Sequence, residues 1–264
     1  MEPLLLLRTV QSTCFRTLWE TLKEILVDVT LNFNEDGVKL NAIDGSRVSL
    51  IHLKLDACNF EEYHCPRPLS VGVNTMAVYK LLKSLTNSDC ISWQVDADQP
   101  NSLKLMVDNS EKNYKTCYSL KLLDLDEQIL RIPDLTQKVN IVNMPSVEFQ
   151  KFVRDMNGFA DNVTIRMTPN RQLIMQCDGY LASQVTVLGE SQDGLQISTD
   201  NDIVTTEDIF SGHFSLKYLT LFVKATNLSN SCELLLRDTY PLILRYSVAS
   251  LGTIIFCLAG RCND

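Results

Sequence analysis

The run Val38-Lys39-Leu40-Asn41-Ala42-Ile43-Asp44-Gly45 returns later in the chain as Gln172-Leu173-Ile174-Met175-Gln176-Cys177-Asp178-Gly179. Each leads into an alternating apolar pattern, Val48-Ser49-Leu50-Ile51-His52-Leu53 after the first and Ser183-Gln184-Val185-Thr186-Val187-Leu188 after the second. Upstream, Phe15-Arg16-Thr17-Leu18 has a counterpart in Gln150-Lys151-Phe152-Val153, and downstream residues 78–87, starting at Val78, pair with 218–227, starting at Tyr218. The order of elements is the same in both halves and the offset drifts only from about 134 to about 140, the mark of an internal duplication. The chain therefore divides into an N-terminal domain over 1–122, a connecting segment over 123–136 and a C-terminal domain over 137–264.

A length of 264 residues suffices for two cores. Hydrophobic content of 45% and charged content of 21% are ordinary for a globular protein. Nine cysteines occur without a CxxC pair, and Cys177, Cys232 and Cys257 lie in apolar runs, as expected of small buried thiols in a reducing compartment. Cys58 and Cys65 flank His64, but no second Cys/His cluster completes a metal site. The apolar run 4–7 after Glu2 is too short for a leader or a membrane span, which places the chain in cytoplasm or nucleus. Without a leader, the glycosylation patterns at Asn162 and Asn227 carry no meaning.

Strand signals dominate. Val27, Val29, Leu31 and Phe33 alternate with polar residues, as do Leu103, Leu105 and Val107, and Val163, Ile165 and Met167. Turn residues such as Glu35-Asp36-Gly37 and Pro169-Asn170 separate them. Four segments carry a helical period: Phe15, Leu18, Leu22 and Ile25; Val78, Leu81, Leu82 and Leu85; Phe149, Phe152, Val153 and Met156; Tyr218, Leu221, Phe222 and Ala225. Two helices and many strands per half, in the same order, give an α+β fold with helices on one face of antiparallel sheet.

A net charge of −8 argues against nucleic acid only if the charge is evenly spread. It is not. Residues 15–26, 76–85, 148–156 and 214–225 hold eight basic residues against four acidic ones, leaving sixteen basic and twenty-eight acidic residues elsewhere. The basic set is Arg16, Lys23, Lys80, Lys83, Lys151, Arg154, Lys217 and Lys224. Solvated helix faces commonly carry such residues, but four helices at equivalent places in a repeat suggest a track for phosphates. No aromatic or base-reading cluster accompanies them, so the track would hold duplex backbone without reading sequence.

No GxxxxGK[ST] or GxGxxG motif, no metal-ligand spacing around His52, His64 or His213, and no Ser, His and Asp set is present, so neither enzymatic activity nor a cofactor or metal is expected. Asp124, Asp126 and Glu127 could hold metal ions for a DNA-dependent nuclease, but a solvated acidic linker is much the stronger reading.

The chain resembles the proliferating cell nuclear antigen family, the eukaryotic-type DNA sliding clamps, as a divergent or viral member would. The resemblance rests on Asp36-Gly37-Val38, the run 43–50 from Ile43 to Leu50, Lys80-Leu81-Leu82-Lys83, the run 118–126 from Tyr118 to Asp126, Met144-Pro145-Ser146-Val147-Glu148-Phe149, Val153-Arg154-Asp155, Lys217-Tyr218-Leu219 and Lys224-Ala225-Thr226. It is collinear over essentially the whole chain. It implies a DNA clamp fold in which three subunits of two similar domains close into a pseudo-six-fold ring, with helices lining the hole. Such a ring would encircle duplex DNA, tether a DNA polymerase and other replication and repair proteins in the nucleus or at a viral replication site, and need a separate loader. No membrane partner is implied.

Carried over by position, the resemblance places the eight basic residues against DNA. It pairs the edge around Lys115, Tyr118 and Lys121 with a neighbour's edge near Ala182 and Val185. It also implies a pocket for partner peptides at Ile43, Arg47, Val48, Leu130, Ile132, Pro133, Pro241, Ala259 and Gly260. The chain departs from the family at Gly260, where proline is usual, in ending Arg261-Cys262-Asn263-Asp264 rather than in an acidic tail, and at Thr168-Pro169-Asn170-Arg171, which lacks the family's main modification lysine. A subunit of a heterotrimeric checkpoint-type clamp is the alternative in the same fold.

Overall fold

The computed structural model describes residues 3–125, 139–199, 208–238 and 240–261. It separates into two units, one formed by residues 1–45, 51–131 and 247–254, the other by 46–50, 132–246 and 255–264. Among the described residues no helix is long and apolar enough to cross a membrane.

In the first unit β1 (Leu5–Thr9) leads to α1 (Ser12–Leu22), β2 (Asp28–Asn34), β3 (Gly37–Ile43), β4 (Ser49–Asp56), β5 (Glu62–His64), β6 (Leu69–Asn74), α2 (Thr75–Leu82), β7 (Cys90–Val95), β8 (Ser102–Asn109) and β9 (Tyr114–Lys121). The strands run β5-β1-β7-β8-β9 and β4-β3-β2-β6. Alternation does what the pattern predicts: β2 buries Val29, Leu31 and Phe33 and turns its polar residues outward. The β2–β3 turn is fixed by Asn34, whose Oδ1 accepts from the Asp36 and Gly37 amides at 3.1 and 3.2 Å. Gly37 sits at φ 138°, and a Cβ there would lie 2.0 Å from the Leu55 carbonyl oxygen, so no other residue fits. α1 buries Phe15, Leu18, Trp19 and Leu22, and both Phe15 and Trp19 lie 5.7 Å from the Trp93 ring. α2 starts where the Asn74 side chain accepts from the Ala77 amide at 3.0 Å.

The second unit repeats this plan. β10 (Asn140–Pro145) leads to α3 (Ser146–Asn157), β11 (Asn162–Thr168), β12 (Gln172–Asp178), β13 (Ser183–Gly189), β14 (Gln196–Ser198), β15 (Phe210–Ser215), α4 (Leu216–Phe222), β16 (Ser231–Leu236), β17 (Leu242–Val248) and β18 (Gly252–Leu258). Its strand orders, β14-β10-β16-β17-β18 and β13-β12-β11-β15, match the first unit strand for strand. Its core stacks Phe222 on Phe256 at 4.8 Å, with Tyr246 edge-on to Phe256 at 6.2 Å.

The structure refines several expectations. α1 starts at Ser12 and α3 at Ser146, which sets Phe15 level with Phe149 and Arg16 level with Gln150, one residue from the pairing read off the sequence. Likewise α2 and α4 start at Thr75 and Leu216, which sets Ala77, not Val78, level with Tyr218. The α1 period runs on to Ile25, but the helix ends at Leu22: Glu24 N and Ile25 N bond back three residues, to Thr21 and Leu22 oxygens, in a tightened last turn. Val27 precedes β2 and is 71% exposed. Phe214 and Ser215 end β15, and α4 passes at Val223 into a 3-10 stretch, Val223–Leu228. Cys177, Cys232 and Cys257 are buried thiols, with burial pushing Cys232 and Cys257 up to about 12, while Cys58 and Cys117 are exposed.

Candidate nucleic-acid interface and partner site

The eight basic residues divide in two. Lys80 on α2, Lys83 at its C-cap, Lys151 and Arg154 on α3, and Lys217 in the first turn of α4 are all exposed. Among the described residues none of these five is ion-paired to a carboxylate. The other three are turned to structural use or half-buried. Arg16 Nη1 donates to the Leu85 carbonyl oxygen at 2.7 Å. The Lys23 ammonium pairs with Glu24 and lies 4.6 Å from the Tyr79 ring centre, leaving its side chain 12% exposed. Lys224 is half-buried in the 3-10 stretch. Gln150, which stands where Arg16 stands in the first unit, makes the corresponding reach, donating from Nε2 to the Val223 oxygen at 2.8 Å. These five cations, without a carboxylate partner among the described residues, leave positive charge open on or at the ends of helices.

The residues expected at subunit edges lie on terminal strands. β9 and β13 each end a sheet. Lys115 and Lys121 are exposed and Tyr118 half-buried on β9; Ala182, just before β13, is exposed, and Val185 is 57% exposed. The partner-peptide residues are only partly described. In the second unit Ala259 N donates to Val48 O at 3.1 Å, and Arg261 N to His213 O at 2.9 Å, so residues 259–261 are tied down as extended chain. Arg47 is exposed at φ 58°, Val48 and Pro241 are half-buried, and Gly260 is exposed. A Cβ at Gly260 would only touch the Phe214 ring at 3.8 Å, so nothing in the fold demands glycine there. Ile43, half-buried, closes β3 in the first unit. Leu130, Ile132 and Pro133 lie outside the described residues, as do Asp126 and Glu127. Among the described residues no three His, Cys, Asp or Glu side chains gather as metal ligands do.

The turn without the modification lysine is closed by its own chemistry. Arg171, at φ 56°, forms a bidentate pair with Glu190, with Nε to Oε2 at 2.7 Å and Nη2 to Oε1 at 3.0 Å, and Nη2 also donates to the Ile197 carbonyl oxygen. The Arg171 guanidinium, helped by the Ile197 amide, which donates to Oε1 at 2.9 Å, holds the Glu190 carboxyl below its usual range.

Sequence reasoning missed Tyr180 and Leu181, which follow the second Asp-Gly turn and stand 100% and 88% exposed. Their signal was present in the repeat: the equivalent places after the first Asp-Gly hold Ser46 and Arg47, both polar.

Comparison with known families matches residues 4–129 to the profile described as proliferating cell nuclear antigen, N-terminal domain, and residues 131–261 to the corresponding C-terminal domain. Among curated proteins the chain is 38% identical over 256 residues to the probable DNA polymerase sliding clamp 1 of Paramecium bursaria Chlorella virus 1, covering 96% of this chain and 95% of that one. It is 30% identical over 257 residues to the proliferating cell nuclear antigen of Chaetomium thermophilum, covering 97% and 98%. It is also 30% identical over 258 residues to proliferating cell nuclear antigen 2 of Drosophila melanogaster, covering 97% of each chain.

Proposed function

The chain belongs to the proliferating cell nuclear antigen family, and from that premise we propose that it is a DNA sliding clamp, a processivity factor that tethers a DNA polymerase to duplex DNA. Three copies close into a ring, with β9 of each meeting β13 of the next. The ring performs no chemistry. It raises processivity because a polymerase bound to it cannot diffuse away between nucleotide additions. Its site of action is wherever its polymerase works, in a nucleus or at a viral replication site, and a separate loader opens it.

The observation that carries this reading is the placement of Lys80, Lys83, Lys151, Arg154 and Lys217, without carboxylate partners among the described residues, on the helices of both units of a chain whose net charge is −8. Helices are where the positive charge concentrates while the rest of the chain is strongly acidic. Loose attraction to phosphates suits a ring that must slide, because sequence-independent contacts have no preferred register along the duplex. Partner proteins bind through a short peptide at Ile43, Arg47, Val48, Pro241, Ala259 and Gly260, with Leu130, Ile132 and Pro133 from the connecting segment. The names of the similar proteins favour this reading over a checkpoint-type heterotrimer.

The test is a variant with Lys80, Lys151 and Lys217 all replaced by glutamate. It is expected to keep the wild-type solution mass and to lose stimulation of a polymerase on long primed templates. Undiminished stimulation would refute the role given to these cations.

A further inference from the structure

Two lysines face each other across the sheet of the first unit. β3 buries Val38 and Leu40 and turns Lys39, Asn41 and Ile43 to the other face; β4 buries Ile51, Leu53 and Leu55 and turns His52, Lys54 and Asp56 to that same face. The register is fixed at two points. Ala57 N donates to Asp36 O at 2.8 Å, and His52 Nδ1 lies 2.5 Å from Asn41 Oδ1. Both give the same antiparallel pairing, and Lys54 lies between them, so it stands directly opposite Lys39. On its other side Lys39 is paired with Asn32 of β2. Like charges placed directly opposite, with Cβ atoms about 4.5–5.5 Å apart, destabilise a sheet. The chain carries this pair outside its helices, where acidic residues outnumber basic ones.

The pair is only partly neutralised. Lys54 Nζ lies 2.8 Å from Asp56 Oδ1, and the two side chains are 47% and 37% exposed. Among the described residues Lys39 has no carboxylate partner. Asn32 Oδ1 accepts from the Ser70 hydroxyl at 2.8 Å, which leaves Asn32 Nδ2 as a donor beside Lys39. The positive field reaches His52, whose pKa is lowered by burial first and then by Lys39 and Lys54.

We propose that Lys39, Lys54 and the Asn32 amide form an anion site on this sheet face, which takes the carboxylates of an acidic stretch flanking the apolar part of a clamp-interacting peptide. This rests on the partner-peptide reading above and adds a charge preference to it. Two features point to a peptide. Ile43, Asn41 and Lys39 alternate along one face of β3, and Ile43 and Lys39 are about 13 Å apart at about 3.3 Å per residue. A peptide seated at Ile43 and running along β3 thus brings a residue about four positions from its apolar part over the lysines. The connecting segment also starts on this face: Leu123 N donates to Gly72 O, and a Cβ at Gly72 would meet the Leu123 oxygen at 2.2 Å. Two ammonium groups, one of them shared with Asp56, suit one or two carboxylates. They are too few for a nucleic-acid track, whose affinity grows with the number of phosphates neutralised.

The probes are fluorescein-labelled peptides that share one clamp-interacting core and carry a run of glutamate, serine or lysine at one end or the other. Binding to the full chain is followed by anisotropy at about 0.1 M salt, where charges at contact still attract. The wild type is expected to bind the glutamate-flanked peptide about tenfold more tightly than the serine-flanked one, the worth of one or two charge contacts. The preference is expected at one end only, because a seated peptide runs in one direction. Lys39→Gln with Lys54→Gln should bind both peptides alike and keep the wild-type affinity for the serine-flanked one, which reports an intact fold and pocket. Lys39→Glu with Lys54→Glu should prefer the lysine flank. A wild type indifferent to its flank, or a glutamate preference that survives Lys39→Gln with Lys54→Gln, overturns the anion site and leaves the peptide reading standing. If that pair instead loses affinity only for a single-stranded oligonucleotide, the patch belongs to nucleic acid and the proposal is likewise overturned. A wild type that binds no peptide overturns both readings.

Discussion

The Arg16 guanidinium donates from Nη1 to the Leu85 carbonyl oxygen at 2.7 Å, binding α1 to the chain just beyond the end of α2. A residue that reads as a DNA contact in the sequence is therefore also a strut between two helices. Removing it should cost folding stability, whereas removing the exposed Lys80 should not.

Arg16→Ala is predicted to lower stability by about 1–2 kcal/mol, the worth of a charge-assisted hydrogen bond, while Lys80→Ala stays within about 0.5 kcal/mol of wild type. Urea unfolding of both variants decides it, and equal midpoints for the two would remove the strut.

A second strut lies at Asp89, 2% exposed, which accepts from Thr86 N, Thr86 Oγ1, Asn109 Nδ2 and Tyr114 Oη at 2.6–2.8 Å. Burial by itself would raise its pKa, but these four bonds outweigh it and hold the carboxyl at about 2, below the ordinary 3.8. A depressed folded pKa means the stability is present in full above the unfolded value and drains away as pH falls through the folded one, from about pH 4 to about pH 2. Asp89→Asn is predicted to lower stability by about 2–3 kcal/mol at neutral pH and to flatten that acid limb. Urea midpoints at pH 7, 4, 3 and 2 test it; parallel curves for variant and wild type would contradict it.

Gly72 offers a backbone test. Leu123 N donates to its carbonyl at 2.8 Å, and a Cβ at Gly72 would lie 2.2 Å from the Leu123 oxygen, so two backbones touch where no side chain fits. Gly72→Ala should destabilise by about 1–3 kcal/mol and speed amide exchange at Leu123. An unaltered exchange rate there would show that residue 123 is not held on β6.

The repeat was legible because duplication preserves apolar spacing: the Leu40 and Leu173 strands and the Phe15 and Phe149 helix faces show in the sequence alone. Helix ends were less legible. Ile25 keeps the period of α1, but the last turn tightens after Leu22, and a period cannot report which carbonyl an amide chooses. The fates of the basic residues were illegible too. Glu24 stands next to Lys23 in the sequence, but nothing in that run reveals that Tyr79 lies under the ammonium, because that depends on how two helices meet. Tyr180 escaped notice for the opposite reason: a single aromatic in a turn is unremarkable until the fold leaves it fully exposed.

Ile132 tests the partner site. Ile132→Ala is predicted to weaken binding of a clamp-interacting peptide by about tenfold, as loss of a buried anchor does, with the unfolding midpoint unchanged. Peptide titration by fluorescence anisotropy beside urea unfolding separates the two effects. A collapse in stability would make Ile132 a core residue.

The central claim is that the ring encircles DNA, so that what retains it is topology, while the helix cations only ease its passage along the phosphates. The purified chain should thread onto linear duplex with open ends, and blocking both ends with bulky protein caps should trap it there. Trapped protein is predicted to survive a high-salt wash that removes ordinary phosphate binders, and to leave at once when a restriction enzyme cuts the duplex. Elution by salt alone, at the same concentration from capped and open DNA, would contradict the account.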